Sequence, residues 1–450
     1  MSSTESDLAP AQAPSTAPLA TRQAALAVLD RVLRGGQRLD DTLVRHEEFL
    51  ALEPRDRAFV RMLLATTLRR LGEIDAILDR FVTTPLPPRA HLVRDLLRLG
   101  AAQLLFLGTP AHAAVDTAVS IAAKLEMGAY KRLTNAVLRA LSREEGAVTG
   151  ELTHLNTPRW LWETWAWAYG EETARRIATA HLEEAPLDLS VKADAAGWAT
   201  RLEGSVLANG TIRRVSGGRV EDLPGYAEGA WWVQDVAASL PARLLGNIAG
   251  KHVVDLCAAP GGKTLQLLAA GARVTAVDLS AKRMARVADN LKRTGFEAEL
   301  VTTDASTWRP DTPPDAILLD APCSATGTLR RHPDIAWLKG LDDVGRLANA
   351  QARLLQAAIE MAPPGGTIVY AVCSLQPEEG DMQVEAALQR GDVERVPVSP
   401  ADLAAGDLRR GAAGWTSMIT RAGDLRTLPF LLGPIGGMDG FYAARLRKRR

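Results

Sequence analysis

From residue 251 onward, short apolar runs alternate with longer stretches of helical periodicity. The apolar runs lie at 253–256, 274–277, 316–319 and 367–370, and the helical stretches include 281–291 and 344–361. Alternation of this kind is typical of a mainly parallel sheet with helices on both faces. In such sheets, ligands bind at the carboxyl ends of the strands. We therefore expect residues 251–450 to form an α/β Rossmann-type domain with a binding site at one edge of its sheet.

Residues 21–145 follow a different pattern, in which apolar residues recur three and four positions apart. The pattern is clear at Ala25, Val28, Leu29, Val32, Val60, Leu63, Leu64 and Leu68. It predicts an all-α domain, with one helix ended by Gly72. Residues 1–20 are rich in Ser, Ala, Pro and Thr and lack the basic start and apolar stretch of a signal peptide. We expect them to form a disordered tail.

The region 146–250 begins with closely spaced tryptophans and continues with shorter mixed patterns, which predict a connector and a small α/β subdomain. The tryptophans are Trp160, Trp162, Trp165 and Trp167. Trp162 and Trp165 fit one helical face. Large aromatic side chains at that spacing are typical of buried packing, and stacking on unpaired RNA bases is the alternative.

Basic and acidic residues balance, with 53 of each among 450 residues. A nucleic acid would therefore have to bind a local basic surface, because the chain has no net positive charge to supply a field around the whole molecule. Three cysteines without a CxxC pair suit neither a disulfide framework nor a zinc site. We expect reduced thiols, a cytoplasmic protein and no bound metal. No apolar run approaches the roughly 18 residues of a membrane helix, so we expect no membrane span.

A glycine turn follows the first predicted strand of the C-terminal region. It consists of Cys257, Ala258, Ala259, Pro260, Gly261, Gly262 and Lys263. The glycines permit a tight turn, and the helix that follows offers unpaired amides to a polar or anionic ligand. Cys257 stands where the phosphate-binding loop of NTPases requires glycine, and no G-x-G-x-x-G is present, so the NTPase and NAD interpretations both weaken.

One acid stands near each of four successive predicted strand ends. They are Asp255, Asp278, Asp304 and Asp320. Asp278 occupies the place at which a dinucleotide fold binds ribose hydroxyls. The ordered series resembles the Rossmann-type methyltransferases that use S-adenosyl-L-methionine. That resemblance implies that residues 257–263 wrap the amino-acid end of the cofactor, Asp278 holds its ribose and Asp304 lies by its adenine. Asp320 would face both the cofactor and the target base.

Two further cysteines, Cys323 and Cys373, each end a strand-like run and each precede a serine. A thiolate beside a nucleotide cofactor suggests covalent catalysis. Cytosine C5 is a poor nucleophile, but addition of a thiolate at C6 makes an enamine that can accept a methyl group at C5. The C5 proton must then leave and the thiol must be expelled, so a second poised group is useful. Asp320 is placed to hydrogen-bond the N3 edge as the thiolate adds. The chemistry alone selects neither cysteine as the nucleophile.

Residues 320–334 resemble the catalytic loop of the Nop/Sun family of RNA cytosine-C5 methyltransferases. Residues 370–379 resemble that family's second cysteine motif, and residues 437–444 its final strand. The resemblance implies that Cys373 is the nucleophile and that Cys323 assists product release. DNA cytosine methyltransferases attack from a Pro-Cys loop, which would nominate Cys323 instead. Cys257 is assigned to packing, with its main chain at the cofactor.

Two basic segments are candidates for contacts with RNA phosphates. Arg330, Arg331 and His332 directly follow the Cys323 loop, and a second basic run covers residues 445–450. The alternative for the first segment is a solvated loop, and for the second a soluble chain end. Both interpretations stay open at the level of sequence.

Residues 100–107, 110–115 and 135–139 resemble the RNA-binding NusB-like helical domain. With the Nop/Sun motifs, they make the chain after residue 20 similar to the bacterial RsmB (Sun/Fmu) methyltransferases of small-subunit ribosomal RNA. The resemblance implies a NusB-like domain at 21–145, an RRM-like subdomain within 146–250 and a catalytic domain at 251–450. In 187–192, serine and lysine stand where that family's arginine and asparagine are expected.

The resulting hypothesis is a monomeric enzyme that methylates C5 of a cytosine in unassembled 16S ribosomal RNA, since the base must be unstacked to enter a pocket. A tRNA cytosine is the nearest rival substrate. A non-catalytic RNA-binding antitermination or assembly factor and a DNA methyltransferase are further alternatives.

Overall fold

The computed structural model describes residues 17–124, 128–144, 148, 150–214, 218–404 and 412–449. The chain divides into two compact units, Met1–Asn156 and Thr157–Arg450. Most of the predicted tail lies outside the described residues, and the first helix begins at Ala17. Within the described residues, no helix is both long enough and apolar enough to cross a membrane.

The first unit is built from helices, as its periodicity predicts. They are α1 (Ala17–Leu33), α2 (Leu39–Leu43), α3 (Glu47–Leu50), α4 (Pro54–Arg69), α5 (Leu71–Asp79), α6 (His91–Leu105), α7 (Ala111–Lys124) and α8 (Gly128–Leu141), with short 3-10 helices at Pro88–Ala90 and Gly150–Asn156. The predicted apolar positions of α1 and α4, such as Val28 and Leu64, are fully buried. These helices pack their apolar stripes against one another to form the core of the unit.

Gly72 does not end a helix, contrary to the prediction. Helix α4 ends at Arg69, and Gly72 is the second residue of α5. A Cβ atom at Gly72 would lie 1.8 Å from the carbonyl oxygen of Leu155. The glycine is therefore required for the close approach of the 3-10 helix Gly150–Asn156, a partner that is distant in sequence.

The second unit contains two sheets and the helices that cover them. Its helices are α9 (Arg159–Tyr169), α10 (Glu171–Ala180), α11 (Ala195–Arg201), α12 (Val236–Arg243), α13 (Gly262–Ala269), α14 (Ala281–Thr294), α15 (Ile335–Leu338), α16 (Leu341–Met361), α17 (Asp381–Arg390), α18 (Pro400–Leu403) and α19 (Ala412–Thr416). Its strands are β1 (Leu187–Val191), β2 (Ser205–Val206), β3 (Ile212–Arg214), β4 (Trp231–Val233), β5 (His252–Leu256), β6 (Arg273–Asp278), β7 (Glu299–Thr302), β8 (Ala316–Asp320), β9 (Thr367–Val372), β10 (Val393–Arg395), β11 (Leu425–Thr427) and β12 (Phe441–Lys448).

The larger sheet has the strand order β10-β12-β9-β8-β5-β6-β7, and β11 pairs with β12. Strands β5 to β9 pair in parallel, as predicted. Strand β12 runs antiparallel between β9 and β10, which makes the sheet mixed at that edge. The chain passes from β5 outward to β7 and then returns to the other side of β5 with β8. The loops after β5 and β8 therefore flank the switch point, where such sheets bind ligands.

Apolar side chains on both faces of this sheet explain why its strands read as continuous apolar runs. Val253, Leu318 and Val369 belong to the core on one face. Val254 and Ile317 belong to the core on the other face. Because both cores fix the register of β5, β8 and β9, the loops at their carboxyl ends are held in place.

The smaller sheet is antiparallel throughout, with the order β2-β3-β1-β4. Asp188 on β1 and Arg213 on β3 form a buried, two-pronged ion pair, with both N–O distances at 2.7 Å. Asp188 also accepts the main-chain N–H of Val236 at 2.9 Å. This pair ties the small sheet to the start of α12, which leads into the larger sheet.

Candidate active site

The predicted glycine turn follows β5 and leads into α13. Two residues have positive φ angles, Cys257 at 62° and Gly261 at 101°. The main-chain N–H of Ala258 donates to the carbonyl of Val277 at 3.1 Å, which ties the turn to β6. A Cβ atom at Gly262 would meet no other atom closer than 3.9 Å. The first turn of α13 thus presents amides without helical partners to open space.

Asp278, at the end of β6, is almost fully buried. Its carboxylate accepts the main-chain N–H groups of Ala259 at 3.2 Å and Ser280 at 3.0 Å. The guanidinium of Arg283 lies 3.5 Å away. Asp278 therefore shapes the glycine turn directly, and its Oδ1, which accepts the Ser280 N–H, retains a lone pair for a further donor.

Lys263 and Asp320 bring the glycine turn and the end of β8 together. The Lys263 ammonium lies 2.8 Å from the Asp320 carboxylate and 5.0 Å from the centre of the Phe441 ring. The Lys263 side chain is 8% exposed and that of Asp320 is 31% exposed. The cation is thus enclosed and paired, whereas the carboxylate still reaches the space at the sheet edge.

Asp255 lies beneath this pair and is fully buried. Burial raises the pKa of its carboxyl group to about 7. The hydrogen bond that Thr264 donates to it at 2.6 Å lowers the pKa, but by less than burial raises it. The second oxygen of Asp255 has no hydrogen-bond partner. Asp255 therefore stabilises the glycine turn from within the core, through its hydrogen bond with Thr264.

Asp304 lies two residues beyond β7 and is exposed. Its carboxylate accepts the main-chain N–H of Ser306 at 2.9 Å and the Ser306 hydroxyl at 2.7 Å. These two bonds lower the pKa of Asp304. Among the described residues, no hydrogen bond or ion pair joins Asp304 to another predicted site residue, although it stands at the same sheet edge.

The sulfur atoms of Cys323 and Cys373 lie 3.4 Å apart. Cys323 is in the loop after β8, and Cys373 directly follows the neighbouring strand β9. Both side chains are partly buried. The hydrogen bond with Cys373, together with burial, raises the pKa of Cys323 well above the usual value for a thiol.

Cys257 differs from this pair in its surroundings. Burial, followed by the nearby Asp278 carboxylate, strongly raises the pKa of its thiol. A thiolate is the reactive form of cysteine, so this environment agrees with the assignment of Cys257 to packing.

Glu379 joins the two cysteine loops and was not assigned a role from the sequence. Its carboxylate accepts the hydroxyls of Ser324 and Ser374, both at 2.5 Å, and the main-chain N–H of Ser324 at 2.8 Å. Each of these serines directly follows one of the paired cysteines. The repeated Cys-Ser dipeptide was the sequence signal that the two loops share a partner.

Arg330 is neither a phosphate-binding residue nor part of a solvated loop. Its side chain is 1% exposed and lies 3.8 Å from the carboxylate of Asp235. It also donates to the carbonyl of Gly436. Arg331 remains partly exposed and is held by Asp439, with Nε 2.9 Å from the carboxylate.

In the described part of the basic run 445–450, most residues belong to a strand, and two of the arginines form ion pairs within the protein. Residues 445–448 belong to β12. Arg445 pairs with Asp402 at 2.9 Å, and Arg447 lies 3.8 Å from Glu394. Arg450 lies outside the described residues.

Helix α9 supports the Cys373 loop from behind. The indole N–H of Trp165 donates to the side chain of Gln376 at 3.0 Å, and the Tyr169 hydroxyl donates to the carbonyl of Leu375 at 2.6 Å. Trp165 is fully buried, whereas Trp167 on the same helix is 75% exposed. The predicted packing role is therefore confirmed for Trp165.

The residues at this sheet edge are suited to S-adenosyl-L-methionine. The open space at Gly262 and the free amides of α13 match a carboxylate, and the remaining lone pair of Asp278 Oδ1 matches a ribose hydroxyl. No cluster of His, Cys, Asp and Glu suited to a metal ion occurs among the described residues.

Comparison with known proteins gives matches over both units. A model of the family described as 16S rRNA methyltransferase RsmB/F matches residues 242–447, and a model of the NusB family matches residues 19–143. Ribosomal RNA small subunit methyltransferase B of Klebsiella pneumoniae is 34% identical over 453 residues, which cover 95% of this chain and 98% of that protein. The protein of the same name from Erwinia tasmaniensis is 35% identical over 442 residues, covering 94% of this chain and 97% of that protein.

Solved structures show the same fold. The crystal structure of PH0851 superposes with a TM-score of 0.73 at 21% sequence identity, covering 96% of this chain and 99% of that chain. The crystal structure of NSun6 from Pyrococcus horikoshii with SFG gives a TM-score of 0.51 at 21% identity and covers 65% of this chain and 98% of that chain.

Proposed function

The chain belongs to the RsmB/F family of 16S rRNA methyltransferases, and we propose that it methylates C5 of a cytosine in 16S ribosomal RNA through a covalent bond to Cys373. The observation that carries the proposal is the pair of sulfur atoms 3.4 Å apart, at the ends of adjacent loops beside the Lys263–Asp320 pair. A structural cysteine needs no such partner, whereas in a covalent reaction a second sulfur atom beside the nucleophile can assist release.

S-Adenosyl-L-methionine supplies the electrophilic methyl group for this reaction. The glycine turn 257–263 would bind its amino-acid end, Asp278 its ribose and Asp304 the region of its adenine. The Lys263 side chain would hold Asp320 in position, since its ammonium already forms an ion pair with that carboxylate. These assignments are those that the resemblance to Rossmann-type methyltransferases implies, and the position of each residue at the carboxyl edge of the sheet supports them.

Cys373 is the attacking group in this proposal. The choice of Cys373 over Cys323 rests on the resemblance to the Nop/Sun family, in which the cysteine matching Cys373 attacks C6 of the cytosine as a thiolate. Addition forms the sulfur–C6 bond and moves the C5–C6 electron pair toward C5. At the N3 edge of the base, the Asp320 carboxylate would accept a hydrogen bond from the exocyclic amino group, and in its protonated form it would donate to N3 and favour this shift of charge.

Release follows methylation of C5. Once Cys373 is bound to C6, the Cys323 sulfur, 3.4 Å from that of Cys373, takes the C5 proton as a thiolate. The C5–C6 double bond then forms again, and the electron pair of the sulfur–C6 bond returns to Cys373. Attack and release are thus divided between the two cysteines.

The RNA must present an unstacked cytosine to this site. Ribosomal RNA that has not yet been packed into the subunit meets this requirement most easily. The helical unit, which matches the NusB family, would contribute RNA contacts from the exposed basic residues of α8, such as Lys131 and Arg132.

The test is a denaturing-gel assay with S-adenosyl-L-methionine and unassembled 16S ribosomal RNA. Cys323→Ser should accumulate an RNA–protein adduct that survives denaturation, because attack proceeds and release is slow. Cys373→Ser should give neither an adduct nor methylated RNA, and the double variant serves as the matched control. An adduct in Cys373→Ser would assign the attack to Cys323. Absence of methylation by the wild type, with rRNA and with tRNA, would reject the proposed reaction.

A further inference from the structure

We propose that Glu379 is a positioning residue that sets the separation of the Cys323 and Cys373 sulfur atoms by binding the serine that follows each of them. The inference deepens the proposed function and rests on it for its catalytic meaning. The separation itself can be tested without RNA or cofactor.

The geometry of Glu379 places one carboxylate between two loops. One oxygen accepts the Ser324 and Ser374 hydroxyls, both at 2.5 Å. The other oxygen accepts the main-chain N–H of Ser324 at 2.8 Å and the side-chain amide of Gln351 at 3.3 Å. Ser324 and Ser374 lie 50 residues apart in the chain, so Glu379 is a direct link between the two cysteine loops.

Further bonds continue from these serines into the Cys373 loop. The Ser374 hydroxyl oxygen accepts the main-chain N–H of Gln376 at 3.0 Å, and the Thr326 hydroxyl oxygen accepts that of Leu375 at 3.0 Å. The main-chain N–H of Gly327 donates to the carbonyl of Cys373 at 3.0 Å. A shift of Glu379 would therefore move the backbone on both sides of the sulfur pair.

The environment of Glu379 explains why four donors surround it. The residue is fully buried, and within the described residues no lysine or arginine forms an ion pair with it. A buried carboxylate without a cation is costly unless hydrogen bonds satisfy it. A carboxylate accepts several donors in fixed directions, and this property suits a group that must fix two loops at once.

Phenylarsine oxide is the probe that separates positioning from general stability. It forms two arsenic–sulfur bonds with two neighbouring thiols and releases one water, and it needs neither RNA nor S-adenosyl-L-methionine. We expect the wild type to bind one arsenical through Cys323 and Cys373, and Cys323→Ser to lose that bridge. Intact-protein mass spectrometry and competition with a small dithiol give the relative affinities.

Glu379→Gln should weaken the arsenical bridge by at least about tenfold, because an amide cannot accept all four donors. The same variant should show a lower kcat with an unchanged KM for RNA. Glu394→Gln, an exposed change on β10, is the matched control and should behave as the wild type. Circular dichroism and thermal unfolding confirm that each variant is folded.

An unchanged arsenical affinity in folded Glu379→Gln would overturn the inference. If that variant does not fold, Ser324→Ala and Ser374→Ala take its place. Each removes one hydroxyl donor and should weaken the bridge, and wild-type affinity in both would overturn the inference equally. If the bridge depends on Glu379 but the wild type methylates no RNA, positioning stands and the proposed function fails.

Discussion

The ammonium group of Lys263, at the start of α13, lies 2.8 Å from the carboxylate of Asp320, at the end of β8. This ion pair joins the turn proposed for the cofactor to the strand that precedes the Cys323 loop. Its two members differ in solvent access, since Lys263 is nearly buried and Asp320 is not. Removal of Asp320 should therefore destabilise the protein more than removal of Lys263.

Asp320→Ala should lower the free energy of unfolding by about 3 kcal/mol or more, because it leaves a buried ammonium without its partner. Lys263→Met should cost only about 1 kcal/mol, because the remaining carboxylate reaches water. Urea unfolding followed by circular dichroism measures both. The double variant should be more stable than Asp320→Ala alone, and equal costs for the two single changes would contradict this account.

Asp255 should make the protein less stable as the pH rises toward neutrality. Burial raises its pKa from an ordinary 3.8 to about 7 in the folded state. Between these values the folded protein holds a proton that the unfolded chain has released. The free energy of unfolding then falls with pH by up to about 1.4 kcal/mol per unit and levels off above the folded-state pKa.

Asp255→Asn cannot titrate and should lose this dependence. Relative to the wild type, the variant should therefore gain stability between pH 5 and pH 8. Urea unfolding at the two pH values gives the comparison. A constant difference between variant and wild type would show that Asp255 is ionised throughout the range.

Gly327→Ala should disrupt the Cys323 loop. Its Cβ atom would lie 1.9 Å from the carbonyl oxygen of Gly440, a main-chain atom that cannot rotate away. We expect a loss of about 1–3 kcal/mol or more in stability and loss of methylation. Gly345→Ala, on the exposed face of α16 with open space around it, is the matched control. Gly345→Ala should raise the free energy of unfolding by about 0.5–1 kcal/mol. Equal stability of the two variants would show that Gly327 tolerates a Cβ atom.

Trp165→Phe should destabilise the second unit by about 1–3 kcal/mol, because the side chain of Gln376 loses a buried donor. Methylation should fall as well, since Gln376 belongs to the Cys373 loop. Trp167→Phe, on the exposed side of the same helix, should change stability by no more than about 0.5 kcal/mol. Thermal and urea unfolding distinguish the two. A neutral Trp165→Phe would show that the loop is held without this bond.

The features predicted well from the sequence are those that nearby residues determine. The apolar run 253–256 became β5, and 281–291 lies within α14, because the spacing of apolar residues decides which side of an element is buried. Fold class followed from the alternation of these elements. The switch point then brought Asp278 and Asp320 to one edge of the sheet, as the order of the strands requires.

The features predicted poorly depend on partners far along the chain. Arg330 resembled a phosphate ligand because its partner Asp235 lies 95 residues earlier. Gly72 resembled a helix stop because the carbonyl that it accommodates belongs to Leu155. Glu379 carried no assignment, since its bond to Ser324, 55 residues earlier, forms only when β8 and β9 are paired. The repeated Cys-Ser dipeptide hints at a shared partner, but the sequence does not say which residue that partner is.

The position of β12 has a consequence for biosynthesis. This strand pairs with β9, which leads to Cys373, and the main-chain N–H of Gly440 donates to the carbonyl of Gly327 in the Cys323 loop. A ribosome makes residues 440–448 after every other part of the site. A nascent chain can therefore contain both thiols and the glycine turn while one edge of β9 is still unpaired. Premature termination just before β12 would yield a protein that has every reactive group but lacks the strand that pairs with β9 and the Gly440–Gly327 hydrogen bond.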